Sequence, residues 1–382
     1  MARAAPTSSS RVSPRARFLA AAALVLVASS SGCGGSGSSF KWSDTGASWS
    51  PDGRSIVFVS NRAHPKDPDG YRLYVMQADG SGMKRLAGGG GSPQFPSFSP
   101  DGRKILYLEY RSGSDATVSV TDPEGGPPSE LATTVNYWVI PPAWSPDGRR
   151  IAFVRDRSES DPDSATDLWV MNADGRRSHV AARDIDTVEG YSAEFAWSRD
   201  GRRLVFGCRG ALCSVNARGG AIHRMTPIHR GLAESLSWSP DGDQIAFITC
   251  GCDGGRARAW IVDARRAHEL ALPRGTEGGP TSLAWVPQRA GMLVESGNQG
   301  RIVVRSSRSH GRQELRLAGF DRAAAPSPDG TRIVFEEAGP IRDGSFFGPS
   351  SIPQPSKLFV TDLAGRRLTQ LTQKNSDRSR AP

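Results

Sequence analysis

The chain lacks the short motifs that most often mark a reaction. It has six histidines among 382 residues and no H-E-x-x-H pair of the kind that binds zinc. It has no G-x-S-x-G turn, which carries the nucleophile of α/β-hydrolases. Its longest glycine run, at residues 88–91, lacks the Lys-Ser/Thr pair of a phosphate-binding loop. These motifs therefore predict no catalytic residue, no metal ligand and no cofactor.

A basic run with interleaved aromatic residues is also missing. The net charge is +9, but four arginines stand in the first 32 residues with no acidic residue among them: Arg3, Arg11, Arg15 and Arg17. Without that segment, 44 Lys and Arg face 39 Asp and Glu, which leaves a net charge of +5. This charge is mild for so long a chain, and we predict no nucleic-acid partner.

Long hydrophobic runs are absent as well. The apolar stretch at residues 18–28 has eleven residues, whereas a membrane span needs about 20. A basic head, a short apolar middle and small residues after it are typical of a secretory signal peptide. We therefore predict a signal peptide over residues 1–32 and a protein that works outside the cytoplasm.

The end of that segment, Gly32-Cys33, resembles the cleavage site of bacterial lipoproteins, whose cysteine becomes the lipid-bearing first residue. Ser30 departs from the pattern, which usually has an aliphatic residue there. The resemblance implies lipidation of Cys33, with the Gly/Ser-rich residues 33–41 as a tether. The alternative is ordinary signal cleavage that leaves Cys33 as a free thiol.

What the sequence has in abundance is one turn. An aromatic-Ser-Pro-Asp-Gly motif returns with a mean period of about 46 residues, which suits one four-stranded propeller blade. Proline presets the backbone φ angle of the turn, and glycine closes it. The seven copies start at Trp49, Phe98, Trp144, Trp197, Trp238, Trp285 and Pro326, and the sixth copy, Trp-Val-Pro-Gln-Arg, is degenerate.

Each copy leads into short apolar strands, such as RIAFVRD and DLWVMNADG in the third unit. Their two faces are both apolar, which is typical of sheets packed between two neighbours. We predict an all-β fold: one closed propeller over residues 42–373 with seven four-stranded blades, six being the second choice. Closure of the ring would hide sheet edges that otherwise pair with other chains. A short tail follows at residues 374–382.

The stretch WSPDGRRIAFVRD, followed by DLWVMNADG, resembles the TolB-type propeller repeat, which is related to WD-type propellers. The resemblance extends from about Trp42 to Leu371 and implies the propeller fold. Because this repeat occurs in Tol-Pal proteins, in peptidase propellers and in many binding proteins, it implies no particular reaction.

Four cysteines remain besides Cys33. Cys208 and Cys213 flank a four-residue loop between two strands, and we predict that they form a disulfide. Cys250 and Cys252 can form only a tight C-x-C disulfide with each other or no bond, and both options stay open. A zinc site of all four is the alternative, although neither pair has the usual C-x2-C spacing.

The two faces of such a propeller differ. The turns that join strands one and two, and strands three and four, share one end of every blade and are stereotyped here; we call this end the uniform face. The opposite end, the irregular face, carries unequal loops and the aromatic residues Tyr137, Trp138, Tyr191, Phe346 and Phe347. Exposed loop aromatics are common binding anchors, so we predict ligand binding there. The alternative is that several of them close the mouth of the channel.

Two carboxylates join this candidate site. Glu194 and Glu234 precede the tryptophan of adjacent units, on the strand predicted to line the channel. Neighbouring carboxylates can serve acid–base chemistry or bind a cation. The alternative is that each forms an ion pair with one of the many arginines.

These features predict a monomeric, lipid-anchored propeller that binds a protein, peptide or envelope polymer, in a Tol-Pal-like or scaffold role, and that is not an enzyme. Its membrane contact would be the anchor alone. The alternative from another class is a propeller hydrolase or lyase with a metal in its channel. Such an enzyme would line the channel with several histidines and acids, whereas here only Glu194 and Glu234 stand out.

Overall fold

The computed structural model describes residues 42–372, except residues 66, 68–69, 87–89, 113–114, 136–139, 158–164, 186–194, 209, 228–231, 251–256, 264–266, 270–279, 290, 298–300, 307–311, 317–319 and 339–355. These residues contain strands and turns and no helix. No helix long and apolar enough to cross a membrane occurs in this part of the chain.

Twenty-eight strands form seven sheets of four strands each. Blade 1 contains β1 (Asp44–Trp49), β2 (Ser55–Ser60), β3 (Arg72–Gln77) and β4 (Lys84–Arg85). Blade 2 contains β5 (Ser92–Phe98), β6 (Ile105–Ser112), β7 (Asp115–Thr121) and β8 (Ser129–Val135). Blade 3 contains β9 (Ala143–Trp144), β10 (Arg150–Asp156), β11 (Thr166–Asn172) and β12 (His179–Ile185). Blade 4 contains β13 (Phe195–Trp197), β14 (Arg203–Cys208), β15 (Ala211–Asn216) and β16 (His223–Pro227).

The remaining blades follow the same order. Blade 5 contains β17 (Leu232–Trp238), β18 (Gln244–Cys250), β19 (Arg258–Asp263) and β20 (Ala267–Glu269). Blade 6 contains β21 (Pro280–Trp285), β22 (Met292–Gly297), β23 (Arg301–Ser306) and β24 (Arg312–Arg316). Blade 7 contains β25 (Phe320–Pro326), β26 (Arg332–Ala338), β27 (Ser356–Asp362) and β28 (Thr369–Gln370).

Every blade is an antiparallel meander of four consecutive strands. The prediction of an all-β propeller with seven four-stranded blades is therefore confirmed. In the described residues, no sheet combines strands from the two ends of the chain, so blades 7 and 1 meet without exchanging a strand. Hydrogen bonds that involve side chains cross that junction, such as the one from Trp49 Nε1 to the Ala325 carbonyl.

The core lies between the blades. Consecutive residues Ile56, Val57 and Phe58 of β2 are all fully buried, because one face of the strand packs on blade 7 and the other on blade 2. One apolar cluster fills each of the seven junctions, including the junction of blade 7 with blade 1. This continuous apolar surface explains why the strands do not alternate between apolar and polar residues.

The repeated turn satisfies its own backbone. In blade 1, Ser50 Oγ donates to Asp52 Oδ1 (2.6 Å), which also accepts from the backbone N–H of Arg54 (3.0 Å). Ser50 Oγ accepts in turn from the N–H of Ser55 (2.9 Å). Gly53 has a φ angle of 69°, a region that side chains disfavour. The same contacts recur in blades 2, 3, 4, 5 and 7.

The turn also joins neighbouring blades, which explains why the motif returns in every unit. A Cβ atom placed on Gly102 would lie 3.6 Å from Cδ of Pro51 in the preceding blade, and one on Gly53 would lie 3.7 Å from Cδ of Pro328. In blades 1, 4 and 6 the tryptophan of the motif donates from its indole Nε1 to the innermost strand of the preceding blade, as Trp49 does to the carbonyl of Ala325 (3.0 Å). The motif thus builds a contact at each junction of the ring.

Candidate functional site

The uniform face uses its polar groups internally. Besides the Ser-Pro-Asp-Gly turns, it carries the turns between strands three and four, where Asp79 Oδ1 accepts from the N–H of Ser81 (2.9 Å) and Asp174 Oδ1 from that of Arg176 (3.0 Å). These contacts repeat from blade to blade and serve the backbone. The uniform face therefore offers little that is specific to one blade.

The candidate binding residues of the irregular face lie mostly outside the described residues. This applies to Tyr137, Trp138, Tyr191, Glu194, Phe346 and Phe347, and also to the lipidation candidate Cys33. Their roles stay predictions.

Glu234 lies half-buried on β17, the innermost strand of blade 5, as predicted from the sequence. The pairing register of β17 shifts between Glu234 and Ser237, which marks a bulge. Ser235 adopts a φ angle of 52° in this bulge, and its hydroxyl accepts from the N–H of Leu283 (2.9 Å) on the innermost strand of blade 6. The bulge therefore links neighbouring inner strands.

This bulge recurs at the same point of the repeat. Gly46, Phe95 and Ser235 each stand three residues before the aromatic residue of the turn motif, and their φ angles are 65°, 54° and 52°. The bulge could not be predicted from the amino-acid pattern, because only one of the three residues is a glycine. The bulge thus recurs on the innermost strands of blades 1, 2 and 5.

A buried polar group at the junction of blades 7 and 1 was also missed. We call Asp44, Arg62, Glu336 and Lys357 the closure cluster. Asp44 is fully buried at the start of β1, and its Oδ1 accepts from Arg62 Nη2 at 2.7 Å. Lys357 Nζ, on β27, lies 3.7 Å from Asp44 Oδ2. The Arg62 and Lys357 side chains, which come from different blades, thus share the Asp44 carboxylate at the irregular end of the blades.

Glu336 crosses the same junction from the other side. Its carboxylate accepts from the N–H of Gly46 at 2.5 Å and from the hydroxyl of Thr45 at 3.0 Å, both on β1. The Ser43 and Ser356 hydroxyls are 2.7 Å apart, and Ser356 Oγ also donates to the carbonyl of Asp44 (2.7 Å). The closure cluster is thus embedded in a network that joins the first and last blades.

Aromatic rings surround the two cations of this cluster. Lys357 Nζ lies 3.4 Å from the ring centroid of Trp42, and Arg62 Cζ lies 5.2 Å from that of Tyr74. Burial lowers the pKa of Lys357 to about 8, although the charge of Asp44 opposes this shift. The closure cluster has the geometry of a structural contact, in which positive and negative charges are paired and cation–π interactions replace part of the lost hydration.

A second buried carboxylate lies at the irregular end of blade 3. Asp167 accepts from Arg157 Nη2 at 2.6 Å and from the N–H of Asp184 at 3.1 Å. The carboxylate is used to hold β11, β12 and the end of β10 together. Among the described residues, no three His, Cys, Asp or Glu side chains are grouped so that they could hold a metal ion.

The structure joins Cys208 and Cys213 in a disulfide across the β14–β15 hairpin, with Cα atoms 5.9 Å apart. The two residues are not directly opposite each other in the hairpin: Cys208 pairs with Ala211, and Cys213 pairs with Phe206. They are diagonal neighbours on one face of the hairpin, because the connecting turn is shorter than the loop between the two cysteines. For the isolated protein the bond stays a prediction, which peptide mapping without reduction tests. Cys252 lies outside the described residues.

Comparisons with known proteins agree with this architecture. The family described as the TolB beta propeller domain matches residues 63–329. The uncharacterized peptidase YuxL of Bacillus subtilis (strain 168) is 25% identical over 53% of this chain and 29% of its own length. The Tol-Pal system protein TolB of Roseobacter denitrificans is 40% identical over 15% of this chain and 13% of its own length. The chain thus spans less than a third of these curated relatives.

Solved structures show the same fold in proteins of different function. An oligogalacturonate lyase in complex with manganese has a TM-score of 0.59 and 13% identity, over 86% of this chain and 97% of that one. The propeller domain of the trilobed protease from Pyrococcus furiosus, described as having an open velcro topology, has a TM-score of 0.58 and 13% identity, over 88% and 99%. At these identities the likeness shows the fold alone.

Proposed function

The chain belongs to the TolB β-propeller domain family, and on that premise we propose that it is a lipid-anchored, extracytoplasmic propeller that binds a partner protein or peptide on its irregular face. Membership of the family implies the fold, and many functions share this fold. The function therefore has to be argued from the surface of this chain.

One observation carries the proposal: the two faces of the ring are built differently. On the uniform face, each Ser-Pro-Asp-Gly turn directs its serine and aspartate to its own backbone and its proline and glycine to neighbouring turns. The irregular face carries connections of unequal length and sequence, and these contain the aromatic residues Trp138, Phe346 and Phe347. Blade-specific recognition requires blade-specific side chains, which favours the irregular face.

The anchor rests on the N-terminal sequence. A basic head, an apolar stretch of eleven residues and Gly32-Cys33 support export and acylation at Cys33. Labelling of cells with a radioactive fatty acid tests this part. We expect label in the wild-type protein and none in Cys33→Ala, and a wild-type protein without label would contradict the anchor.

Partner binding is tested with photo-crosslinking followed by purified proteins. A crosslinking amino acid at position 138 should capture a partner that the same amino acid at position 54, on the uniform face, does not capture. The affinity of the captured protein is then measured with Trp138→Ala and with the double variant Phe346→Ala, Phe347→Ala. We expect truncation of an anchor to weaken binding by more than about 1 kcal/mol.

The matched control removes charged side chains from the uniform face. Arg54, Arg103, Arg149 and Arg202 follow the turns of blades 1 to 4 and are exposed. Replacement of all four by alanine should leave the affinity nearly unchanged. Loss of binding in this variant, with intact binding in the aromatic variants, would show that the uniform face is the binding face. Circular dichroism and a thermal melt of each variant exclude unfolding as the cause.

A further inference from the structure

The first described residue, Trp42, is held at a defined place in the ring. Its half-buried indole ring lies under Lys357 Nζ, 3.4 Å from the ring centroid, and the Arg62 guanidinium carbon lies 6.0 Å from the same centroid. The next residue, Ser43, donates from its backbone N–H to Asn61 Oδ1 (2.7 Å) and accepts from the N–H of Asn61 (3.3 Å). The N-terminal segment therefore enters the propeller at a fixed point.

That point lies at the irregular end of the innermost strand of blade 1. β1 runs from Asp44 toward Trp49, after which the Ser-Pro-Asp-Gly turn of the uniform face begins, so the start of β1 is at the opposite end. Lys357 is the second residue of β27, whose start lies at the same irregular end. The chain thus enters close to the channel, near the centre of the irregular face and away from its rim.

The distance from Cys33 to this point is limited by covalent geometry. Nine residues, 33–41, connect the anchor to Trp42, and they span at most about 32 Å in any conformation. To place the uniform face against a membrane, they would have to pass around the blade. That path crosses the three strand spacings of the blade, about 14 Å, and then follows the length of a six-residue strand, about 20 Å. Even before side chains are counted, this path is longer than the extended segment.

We infer that the irregular face is turned toward the membrane that carries the lipid anchor, so that its partner binds between the propeller and the bilayer. This inference rests on the proposed acylation of Cys33. A gap of at most about 32 Å is no wider than a folded domain of about 100 residues. The partner that fits is therefore a protein segment or small domain lying at the membrane surface, and the uniform face is exposed to the surrounding compartment.

Energy transfer from the two faces to a labelled membrane tests this orientation. Arg103, two residues before β6, and Arg111, near its end, are exposed arginines at the uniform and irregular ends of this strand, at most about 27 Å apart for a separation of eight residues. Each is replaced in turn by an azide-bearing amino acid that takes a donor dye. Cys33 is coupled to a maleimide lipid in phosphatidylcholine vesicles that carry an acceptor lipid, in a chain that begins at Cys33 and carries Cys250→Ser and Cys252→Ser.

We expect several-fold stronger transfer from position 111 than from position 103. A control chain with twenty Gly and Ser residues inserted after Cys33 should bring the two signals together, because its tether is long enough to pass around the blade. Equal transfer in the chain with the native tether, or stronger transfer from position 103, would overturn the orientation.

The vesicle experiment is independent of acylation in cells. If the wild-type protein takes up no fatty acid in cells, the proposed anchor is wrong, and the orientation falls with it. If the protein is acylated but position 103 lies closer to the vesicle, the anchor stands and only the orientation is wrong. Photo-crosslinking to a partner tests the binding face separately from both.

Discussion

The junction of blades 7 and 1 can be compared with the junction of blades 3 and 4. Both have an apolar cluster and an indole hydrogen bond to the preceding blade, from Trp49 to the Ala325 carbonyl (3.0 Å) and from Trp197 to the Ala143 carbonyl (3.1 Å). At both junctions an arginine of the preceding blade also lies over the ring of that tryptophan. The arginine donates to the glycine carbonyl of the turn that begins with the tryptophan. The repeat thus builds the same basic contact twice.

The difference is the closure cluster. The chain runs directly from blade 3 to blade 4, and the contacts between Arg150 and Gly201 join residues 51 apart. The contacts between Asp44 and Ser356 join residues 312 apart. Loop closure over this longer distance costs about 1.6 kcal/mol more, from the logarithmic dependence on loop length. The added ion pairs and hydrogen bonds lie at the junction where, in the described residues, no shared strand assists closure.

The largest expected effect comes from removal of the shared carboxylate. Asp44→Ala leaves Arg62 and Lys357 buried without their anionic partner, and loss of one member of a buried ion pair costs about 3–5 kcal/mol. Urea unfolding followed by circular dichroism measures the loss of unfolding free energy. The matched control is Asp122→Ala, which removes a half-exposed ion pair with Lys104 and should cost less than about 1 kcal/mol. Equal losses would show that the closure cluster adds nothing.

A second pair of variants tests the contact that the two junctions share. Trp49→Phe and Trp197→Phe each remove an indole donor and leave a buried carbonyl without that partner. Each should lower the unfolding free energy by about 1–3 kcal/mol. If the junctions differ only by the closure cluster, the two losses agree within experimental error. A much larger loss in Trp49→Phe would mean that the repeat contact itself is stronger at the closing junction.

The pH dependence of stability at alkaline pH separates the junctions further. The pKa of Lys357 is about 8 in the folded protein and 10.5 ordinarily, so between these values the unfolded chain binds the extra proton. This lysine therefore makes stability rise as pH increases from about 8 to 10.5. In Lys357→Met this contribution should be absent, whereas Lys104→Met, an exposed control, should keep it. Urea unfolding of both variants and the wild type from pH 7.5 to 10 gives the comparison.

The smallest expected effect concerns the turns, which are alike at both junctions. Partial burial opposes the charge of Asp52 and Asp147, but hydrogen bonds from Ser50 and Ser145 and from backbone N–H groups outweigh it and lower both pKa values. This contribution to stability is present above the ordinary pKa of 3.8 and is lost as pH falls through the lowered value. Asp52→Asn and Asp147→Asn should each reduce, equally and slightly, the loss of stability between pH 5 and 2.5. A clear difference between them would show that the two turns are not equivalent.

The blades were predictable because their signal is local. Proline and glycine restrict the backbone at the turn, and serine and aspartate bond to groups within five residues, as Ser50 does. Even the degenerate sixth copy forms its turn, with Gln288 at a φ angle of 60°, since Val286 N–H still bonds to the Met292 carbonyl (2.8 Å). Arg289 of the same turn donates from Nε to the Gly330 carbonyl of the next blade (2.9 Å).

The candidate binding site was predictable only as a face. The stereotyped turns identify the uniform end of each blade, and Glu234 lies on an inner strand as expected. The inner-strand bulges at Phe95 and Ser235 have no sequence signal, because neither residue type favours a positive φ angle. They depend on neighbours such as Leu283, which bonds to Ser235 from the next blade.

The number of blades, their order and the difference between the two faces follow from the amino-acid sequence, because each of these depends on turns whose hydrogen bonds span only a few residues. The tertiary structure decided how the ring closes. Asp44, Arg62 and Lys357 carry no local pattern, and they come together only when the first and last blades meet. The physical reason is that burial makes their charges mutually dependent, and burial exists only in the closed ring.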